Sequence, residues 1–155
     1  MHTISVSEAF SNAPPRSAAV LCVKGRRGGA TLLLTDWFTW LNIKRNPMIS
    51  FSLPRTSEIG KALQEGDSFV LAFPLLEEAK RYREMVSVDA EGAAQGPGPE
   101  LETVLENGMT VRTPKGSEVL LCCTLAGAYN YPFKKVRIFN CNLEEAWGSG
   151  ESLLD

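Results

Sequence analysis

Three strand-length apolar segments and one short helix follow one another in residues 28–73, which read GGATLLLTDWFTWLNIKRNPMISFSLPRTSEIGKALQEGDSFVLAF. Each apolar segment is bounded by glycine, proline or polar turn residues, a pattern typical of β-strands. The predicted strands are Ala30–Asp36, Met48–Leu53 and Ser68–Phe73.

The helix is predicted between the second and third of these strands. Thr56 or Ser57 can accept a hydrogen bond from the free N–H groups of the first helical turn. Ile59, Ala62 and Leu63 then share one face, because they are three and four residues apart. The pattern therefore indicates a short amphipathic helix that begins just after Pro54.

The flanking segments add further strands. Ser17–Val23 precedes Ala30–Asp36 across a glycine-rich basic turn, so the two are predicted to form a hairpin. Glu118–Tyr129 is a long, strongly apolar strand candidate, and Val136–Leu143 is predicted to be the last strand.

Two other segments are predicted to be helical. Leu76–Val86 carries the i,i+4 pairs Glu77–Arg81 and Lys80–Glu84 on a solvated face. Leu101–Glu106 is predicted to form one or two helical turns. The remaining predictions are an extended Met109–Arg112, a loop at 89–99, and a loose or edge-packed start at 1–16.

The order of the predicted elements indicates a mainly β fold. Six to seven short strands accompany two or three helices, and the strands come in adjacent runs without regular strand–helix alternation. This order favours an antiparallel β-barrel with peripheral helices. The 155 residues are expected to form a single domain over 1–155, with 1–16 loosely attached and 89–99 as a loop.

Composition excludes several classes of function. Sixteen basic and eighteen acidic residues leave a net charge of −2, which argues against a nucleic-acid binder that neutralises phosphates. The longest apolar runs fall far short of the roughly 20 residues that a membrane-spanning helix needs. The first 17 residues have neither a basic nor an apolar signal region. A cytoplasmic protein without a membrane partner is therefore expected.

Histidine and cysteine are too few or too dispersed for most metal and nucleophile sites. His2 is the only histidine, which argues against a catalytic triad and against most zinc sites. Cys22, Cys122, Cys123 and Cys141 form no C-x-x-C pair and are predicted to be buried free thiols. No catalytic residue and no metal ligand is predicted.

One segment could bind an anion. The strand Met48–Leu53 runs into Pro54, Arg55, Thr56 and Ser57 at a helix start, where free N–H groups carry partial positive charge. A phosphate could be held there. The alternative is an ordinary N-cap beside a surface arginine, and spacing alone favours that alternative.

At this point the sequence resembles a known family, the flavin-reductase-like, FMN-binding split-barrel proteins. The resemblance covers about residues 17–86 and, more loosely, 118–147. Within it, residues 28–73 follow the family's order of a first binding segment, a strand, a Ser/Arg/Thr-rich phosphate loop with its helix, and a further strand. Residues 122–147 (CCTLAGAYNYPFKKVRIFNCNLEEAW) resemble the closing hairpin. The resemblance implies a split β-barrel that forms a homodimer, with FMN at the subunit interface.

The resemblance also implies which residues contact the flavin. Main-chain N–H groups would meet the edge of the isoalloxazine ring, and a polar loop would hold the phosphate. These residues are Thr35, Asp36 and Trp37 for the ring, and Ser52, Arg55, Thr56 and Ser57 for the phosphate. Trp37 and Trp40 have the alternative of core or interface packing, and Phe38, Trp40 and Tyr131 are expected interface aromatics.

Several positions depart from the family pattern. The Asn and Thr of the first segment fall on Thr31 and Leu34, and the Ser before Trp falls on Asp36. The Asn of the later strand falls on Ala72, and a Gly-Asp-His element expected near Lys135 is absent. FMN is therefore expected to bind more weakly than in a member with the full set.

Three functions remain open from the sequence. The first is an NAD(P)H-dependent flavin reductase or FMN-dependent oxidoreductase, in which FMN does the redox chemistry. The second is a non-catalytic protein that binds flavin or another flat cofactor. The third is a ligand-free dimeric scaffold.

Overall fold

The computed structural model describes residues 2–12, 19–25, 29–88, 101–106, 109–132 and 134–148. Within these ranges the chain forms eleven strands and three short helices. They are β1 (His2–Thr3), α1 (Val6–Asn12), β2 (Val20–Lys24), β3 (Ala30–Leu34), β4 (Trp37–Asn42), β5 (Met48–Pro54), α2 (Glu58–Ala62), β6 (Ser68–Phe73), α3 (Leu76–Ala79), β7 (Val86–Val88), β8 (Leu101–Glu106), β9 (Met109–Pro114), β10 (Val119–Asn130) and β11 (Val136–Gly148).

Nine strands form one antiparallel sheet. Its order is β4-β5-β11-β10-β6-β2-β3-β7, and β1 adds to β11. The long hairpin of β10 and β11 lies in the middle and joins two arms of the sheet, β5 with β4 on one side and β6-β2-β3-β7 on the other. Register shifts interrupt the hairpin between Cys122 and Cys123 and between Leu125 and Gly127. Such bulges bend a strand, which helps the sheet to curve.

The concave side of the sheet encloses the main core. Phe51 and Phe139 are fully buried and stack with ring centroids 5.0 Å apart, and Phe69 meets Phe51 edge-on at 5.7 Å. Ile59 and Leu63 of α2 belong to the same cluster. Gly60 allows this helix to approach closely, because a Cβ there would lie 3.2 Å from the Phe139 ring.

A second apolar cluster covers the other side of β2, β3, β6 and β10. Ala79 and Tyr82 pack into it from the crossover that follows β6, and Val111 packs into it from β9. β10 therefore faces apolar residues on both sides. Its neighbours Cys122 and Cys123 point into different clusters, as alternation along a strand requires.

The mainly β, antiparallel fold and most predicted strands are confirmed. Strands occupy the greater part of each of the predicted segments in residues 30–36, 48–53, 68–73, 118–129 and 136–143. The hairpin of β2 and β3 is present, and its turn residues 26–28 lie outside the described residues. All four cysteines are buried and free. Burial raises the pKa of the Cys22, Cys123 and Cys141 thiols far above the ordinary value.

Three predictions about local structure are wrong. Leu101–Glu106 is strand β8, paired with β9, and not helical. The helix expected over Leu76–Val86 ends at Ala79, continues as a 3-10 turn to Tyr82, and gives way to β7 at Val86. The ion pairs there join Lys80 to Glu77 and Arg81 to Glu78 at i,i+3.

The segment Trp37–Asn42, which was not assigned from the sequence, is β4. The described part of the chain start is packed on the barrel: β1 pairs with β11, and Ala9 of α1 is fully buried. The predicted loop at 89–99 lies outside the described residues.

Truncation of Phe139 is expected to destabilise the protein strongly. Phe139→Ala removes a fully buried ring that stacks on Phe51 and should lower the free energy of unfolding by about 3–5 kcal/mol. Leu41→Ala, at a position that is 52% exposed, should change it by less than about 0.5 kcal/mol. Denaturant titration of both variants measures this difference, and equal losses would contradict the assigned core.

Candidate functional site

The two arms of the sheet meet again at the corner between β3 and β4. In sheet order, four strands separate β3 from β5. The main-chain N–H of Asp36, just after β3, nevertheless donates to the carbonyl of Ser52 in β5 at 2.9 Å. Thr35 donates to the carbonyl of Ala19 from its N–H at 2.9 Å and from its hydroxyl at 3.2 Å. The Asp36 bond joins the two arms at a seam, and the Thr35 bonds fasten the corner to the residue just before β2.

A cleft of about 300 Å³ opens at this seam. Three chain segments line it: the end of β3 with its corner, the turn from β5 into α2, and the crossover from α3 to β7. The lining residues are Leu33, Leu34, Asp36, Pro54, Thr56, Ser57, Glu58, Arg83 and Met85.

The cleft combines apolar and charged surfaces. Leu33, Leu34, Pro54 and Met85 contribute apolar side chains, while two carboxylates and one guanidinium stand among them. Ligand sites commonly have such a mainly apolar lining with a few polar groups that fix orientation. The arrangement therefore suits a flat, largely apolar molecule with polar edges.

Asp36 is the charged residue of the corner itself. Its side chain is solvent-exposed on one side, and partial desolvation raises the pKa of its carboxyl above the ordinary value. The charged form is therefore less favourable here than in water. A ligand that covered the carboxylate further would favour the protonated form still more.

Of the three residues predicted to contact the ring, only Asp36 lines the cleft. Asp36 lines the cleft, whereas Thr35 is buried beneath it. The N–H groups of Thr35 and Asp36 already donate within the fold, so a ligand cannot rely on these two donors. Trp37 is 38% exposed and is not part of the cleft lining. Binding of a ring by these residues stays a prediction, with the Asp36 side chain as its most direct element.

Only two of the four residues predicted to hold the phosphate line the cleft. Thr56 and Ser57 line the cleft, but Ser52 and Arg55 do not. The Arg55 guanidinium donates to the carbonyl of Tyr131, and its main-chain N–H donates to the carbonyl of Lys135 at 3.0 Å. Arg55 therefore fastens the β5–α2 turn to the β10–β11 hairpin.

Ser52 and Ser57 have contrasting environments. Ser52 is fully buried, and its Oγ has no hydrogen-bond partner among the described residues. Its cross-strand neighbour is Trp37. Ser57 is the N-cap of α2, and its Oγ accepts a hydrogen bond from the Gly60 N–H at 3.3 Å. The capping alternative from the sequence is thus confirmed for Ser57.

Leu33 and three further residues of the cleft were not assigned to a site from the sequence. Glu58, Arg83 and Met85 line it, although the sequence pattern placed Arg83 and Met85 in a helix. Arg83 and Met85 reach the cleft because the crossover from α3 to β7 is tied to β3 by the pairing of Val86 with Leu32. Local periodicity carries no information on that pairing.

Another cavity among the described residues differs in character. It measures about 610 Å³ and lies between residues 3–6 and 143–146, with Pro47 at its side. Its described lining includes Glu144 and Glu145 but no basic residue. An anionic ligand is therefore better matched by the cleft at the seam.

Neither a metal site nor a membrane-spanning helix is found in the described parts of the chain. No group of three or more His, Cys, Asp or Glu residues there is arranged to hold a metal ion. No helix there is long and apolar enough to cross a membrane.

Comparison with solved structures finds flavoproteins. The styrene monooxygenase flavin reductase from Pseudomonas putida matches with a TM-score of 0.66 and 14% identity, over 92% of this chain and 84% of that chain. An FMN-binding protein from Thermus thermophilus, solved with bound p-hydroxybenzaldehyde, matches with a TM-score of 0.65 and 16% identity, over 87% and 73%. A Streptomyces globisporus NADH:FAD oxidoreductase in complex with NAD and FAD fragments gives 0.66 and 15%, over 92% and 80%.

No protein-family model and no curated protein matches the sequence. At identities this low, the likeness to solved structures establishes the fold and not the ligand. The fold is that of the flavin-reductase-like split barrels.

The cap at Ser57 leads to a prediction about stability. Ser57→Ala removes the acceptor of the Gly60 N–H and should lower the free energy of unfolding by about 1 kcal/mol. Thr56→Ala is the matched control, because Thr56 is exposed and should change stability by less than about 0.5 kcal/mol. Thermal and denaturant unfolding give both values. A loss as large for Thr56→Ala as for Ser57→Ala would contradict the assigned cap.

Proposed function

We propose that this protein is an FMN-binding, flavin-reductase-like oxidoreductase whose flavin lies in the cleft at the seam. The observation that carries the proposal is the cleft itself, in which apolar side chains and separate polar groups meet at the point where the split barrel closes. Flavin reductases and FMN-binding proteins among the proteins of similar fold support it.

The residues of the cleft fit a flavin. Leu33, Leu34 and Met85 offer apolar contacts for the ring, and the Thr56 and Ser57 hydroxyls are polar groups for its ribityl phosphate. When bound, FMN would supply the hydride and electron transfer. The protein would bind and orient it and restrict the access of water. No acid or base from the protein is needed in this scheme.

The departures from the family pattern act on the ring. Leu34 lines the cleft and cannot donate a hydrogen bond, and Asp36 adds a negative charge there. Ala72 is fully buried in the second apolar cluster, so its effect on a ligand is indirect. We therefore propose that FMN binds, but with lower affinity than a hydrogen-bonding residue in place of Leu34 would give.

We also propose that the protein works as a homodimer with the cleft near the interface. Trp37, Tyr129 and Tyr131 are large exposed side chains, a class that is enriched in protein interfaces. Phe38, an expected interface residue, is instead buried in the core, so that expectation is wrong. Trp40 is partly buried and packs edge-on against Phe10 and Phe38. The cytoplasmic location likewise stays a proposal.

Titration with FMN separates this function from its alternatives. Purified protein should take up FMN, with quenching of flavin fluorescence, and NAD(P)H should bleach the bound flavin. Light scattering at micromolar concentration should give twice the chain mass of 17.0 kDa.

Other results of this titration have definite meanings. If NAD(P)H does not bleach the bound flavin, the protein binds flavin without reducing it, and this result would contradict the reductase function. A protein that takes up no FMN would favour the ligand-free scaffold and contradict the whole proposal. A monodisperse monomer would contradict the dimer.

Asp36 should make flavin binding pH-dependent. Since its pKa is raised, its carboxyl becomes neutral at a higher pH than an ordinary aspartate, and riboflavin should bind more tightly as the pH falls through that pKa. Riboflavin is the probe because it lacks the phosphate, which itself titrates near pH 6.

Asp36→Asn tests this assignment with a neutral side chain of similar shape. It should tighten riboflavin at neutral pH, because the bound ring then no longer desolvates a charged group. Its pH profile should be flat. Glu58 and Arg83 remain in the variant and control for other charges in the cleft. An unchanged profile would mean that Asp36 does not face the ring.

A further inference from the structure

Arg83 occupies a fixed place at the cleft. It directly follows Tyr82, which is fully buried in the second apolar cluster. Three residues later, Val86 pairs with Leu32 in β3. The backbone of Arg83 is thus held between two anchors only four residues apart, and its side chain forms part of the cleft lining next to Met85.

Among the described residues, Arg83 differs from its basic neighbours because its guanidinium has no partner. Lys80 pairs with Glu77 at 3.3 Å, and Arg81 pairs with Glu78 at 3.5 Å. No ion pair or side-chain hydrogen bond joins the Arg83 guanidinium to any of the residues that the structure describes.

The other arginine near the cleft is already engaged. Arg55 was the phosphate-binding candidate from the sequence, but its guanidinium donates to the carbonyl of Tyr131 and it does not line the cleft. Arg83 is the only basic residue in the described lining, where it stands with the carboxylates of Asp36 and Glu58. A dianionic group in this cleft therefore depends on Arg83 for a compensating charge.

We propose that Arg83 recognises the terminal phosphate of the ligand and gives the cleft its preference for FMN over riboflavin. This inference rests on the proposed flavin function. A guanidinium can form two parallel hydrogen bonds to phosphate oxygens, which an ammonium group cannot match in geometry. Thr56 and Ser57 add hydroxyls on the opposite segment of the lining. Arg55 acts on the fold and not on the ligand.

The expected size of the effect follows from exposure. Arg83 is solvent-exposed, so water screens its charge. An interaction of one to two kcal/mol corresponds to a factor of about 5 to 30. Arg83→Ala should therefore weaken FMN by about 5- to 30-fold and leave riboflavin within about twofold. Arg83→Lys should keep part of the preference.

Two arginine variants serve as controls. Arg81→Ala removes an exposed arginine two residues away that pairs with Glu78 and does not line the cleft, so the ratio of FMN to riboflavin affinity should not change. Arg55→Ala should lower thermal stability and also leave this ratio unchanged. Inorganic phosphate should compete with FMN in the wild type but hardly in Arg83→Ala.

The experiment is fluorescence titration of the wild type and the three alanine variants with FMN and with riboflavin, after circular dichroism has shown that each is folded. A selective loss of FMN affinity in Arg83→Ala supports the inference. Equal losses for both flavins, no loss, or a selective loss in Arg55→Ala instead would overturn it while leaving flavin binding intact. A wild type that binds neither flavin would refute the proposed function, and the role of Arg83 with it.

Discussion

The hydrogen bond from the Asp36 N–H to the Ser52 carbonyl closes the barrel, and the candidate site depends on that closure. The β10–β11 hairpin lies between the two arms of the sheet, whose outer strands are far apart in sheet order. The tight corner at Thr35 and Asp36 brings them together again. Because β3 arrives from one arm and β5 from the other, the residues that follow each strand face each other across a cleft.

The same corner explains why this site differs from a generic apolar pocket. The main-chain N–H groups of Thr35 and Asp36 donate within the fold, so in the proposed function side chains would recognise the ligand. Those side chains have opposed effects: Asp36 and Glu58 disfavour negative charge, whereas Arg83 favours it at one place. The orientation of a ligand in the cleft would therefore depend on where these three charges lie, more than on the net charge of the cleft.

Sequence patterns were sufficient where a segment's structure depends on its own alternation or cap. The strands of residues 48–53 and 68–73 and the cap at Ser57 belong to this class. Leu101–Glu106 shows the limit, since Leu101, Val104 and Leu105 fit helical spacing, yet the segment pairs along its full length with β9. Tertiary pairing of this kind outweighs a weak local preference.

The residues of the candidate cleft could be predicted only where they follow from a local pattern in the sequence. Thr56 and Ser57 were found because strand, proline and cap follow one another along the chain. Arg83 was missed because only the docking of Tyr82 and the pairing of Val86 bring it to the cleft. The sequence also predicted Arg55 as a phosphate contact, and no pattern in it reveals the bond from Arg55 to the Tyr131 carbonyl.

A crystal structure of the protein grown with FMN tests most directly whether the flavin lies in the cleft at the seam. The ring should lie against Leu33 and Leu34 beside Asp36, with the phosphate within hydrogen-bond distance of Arg83. A ring bound elsewhere, such as in the cavity beside Glu144 and Glu145, or a cleft that stays without flavin at saturating FMN, would contradict this placement.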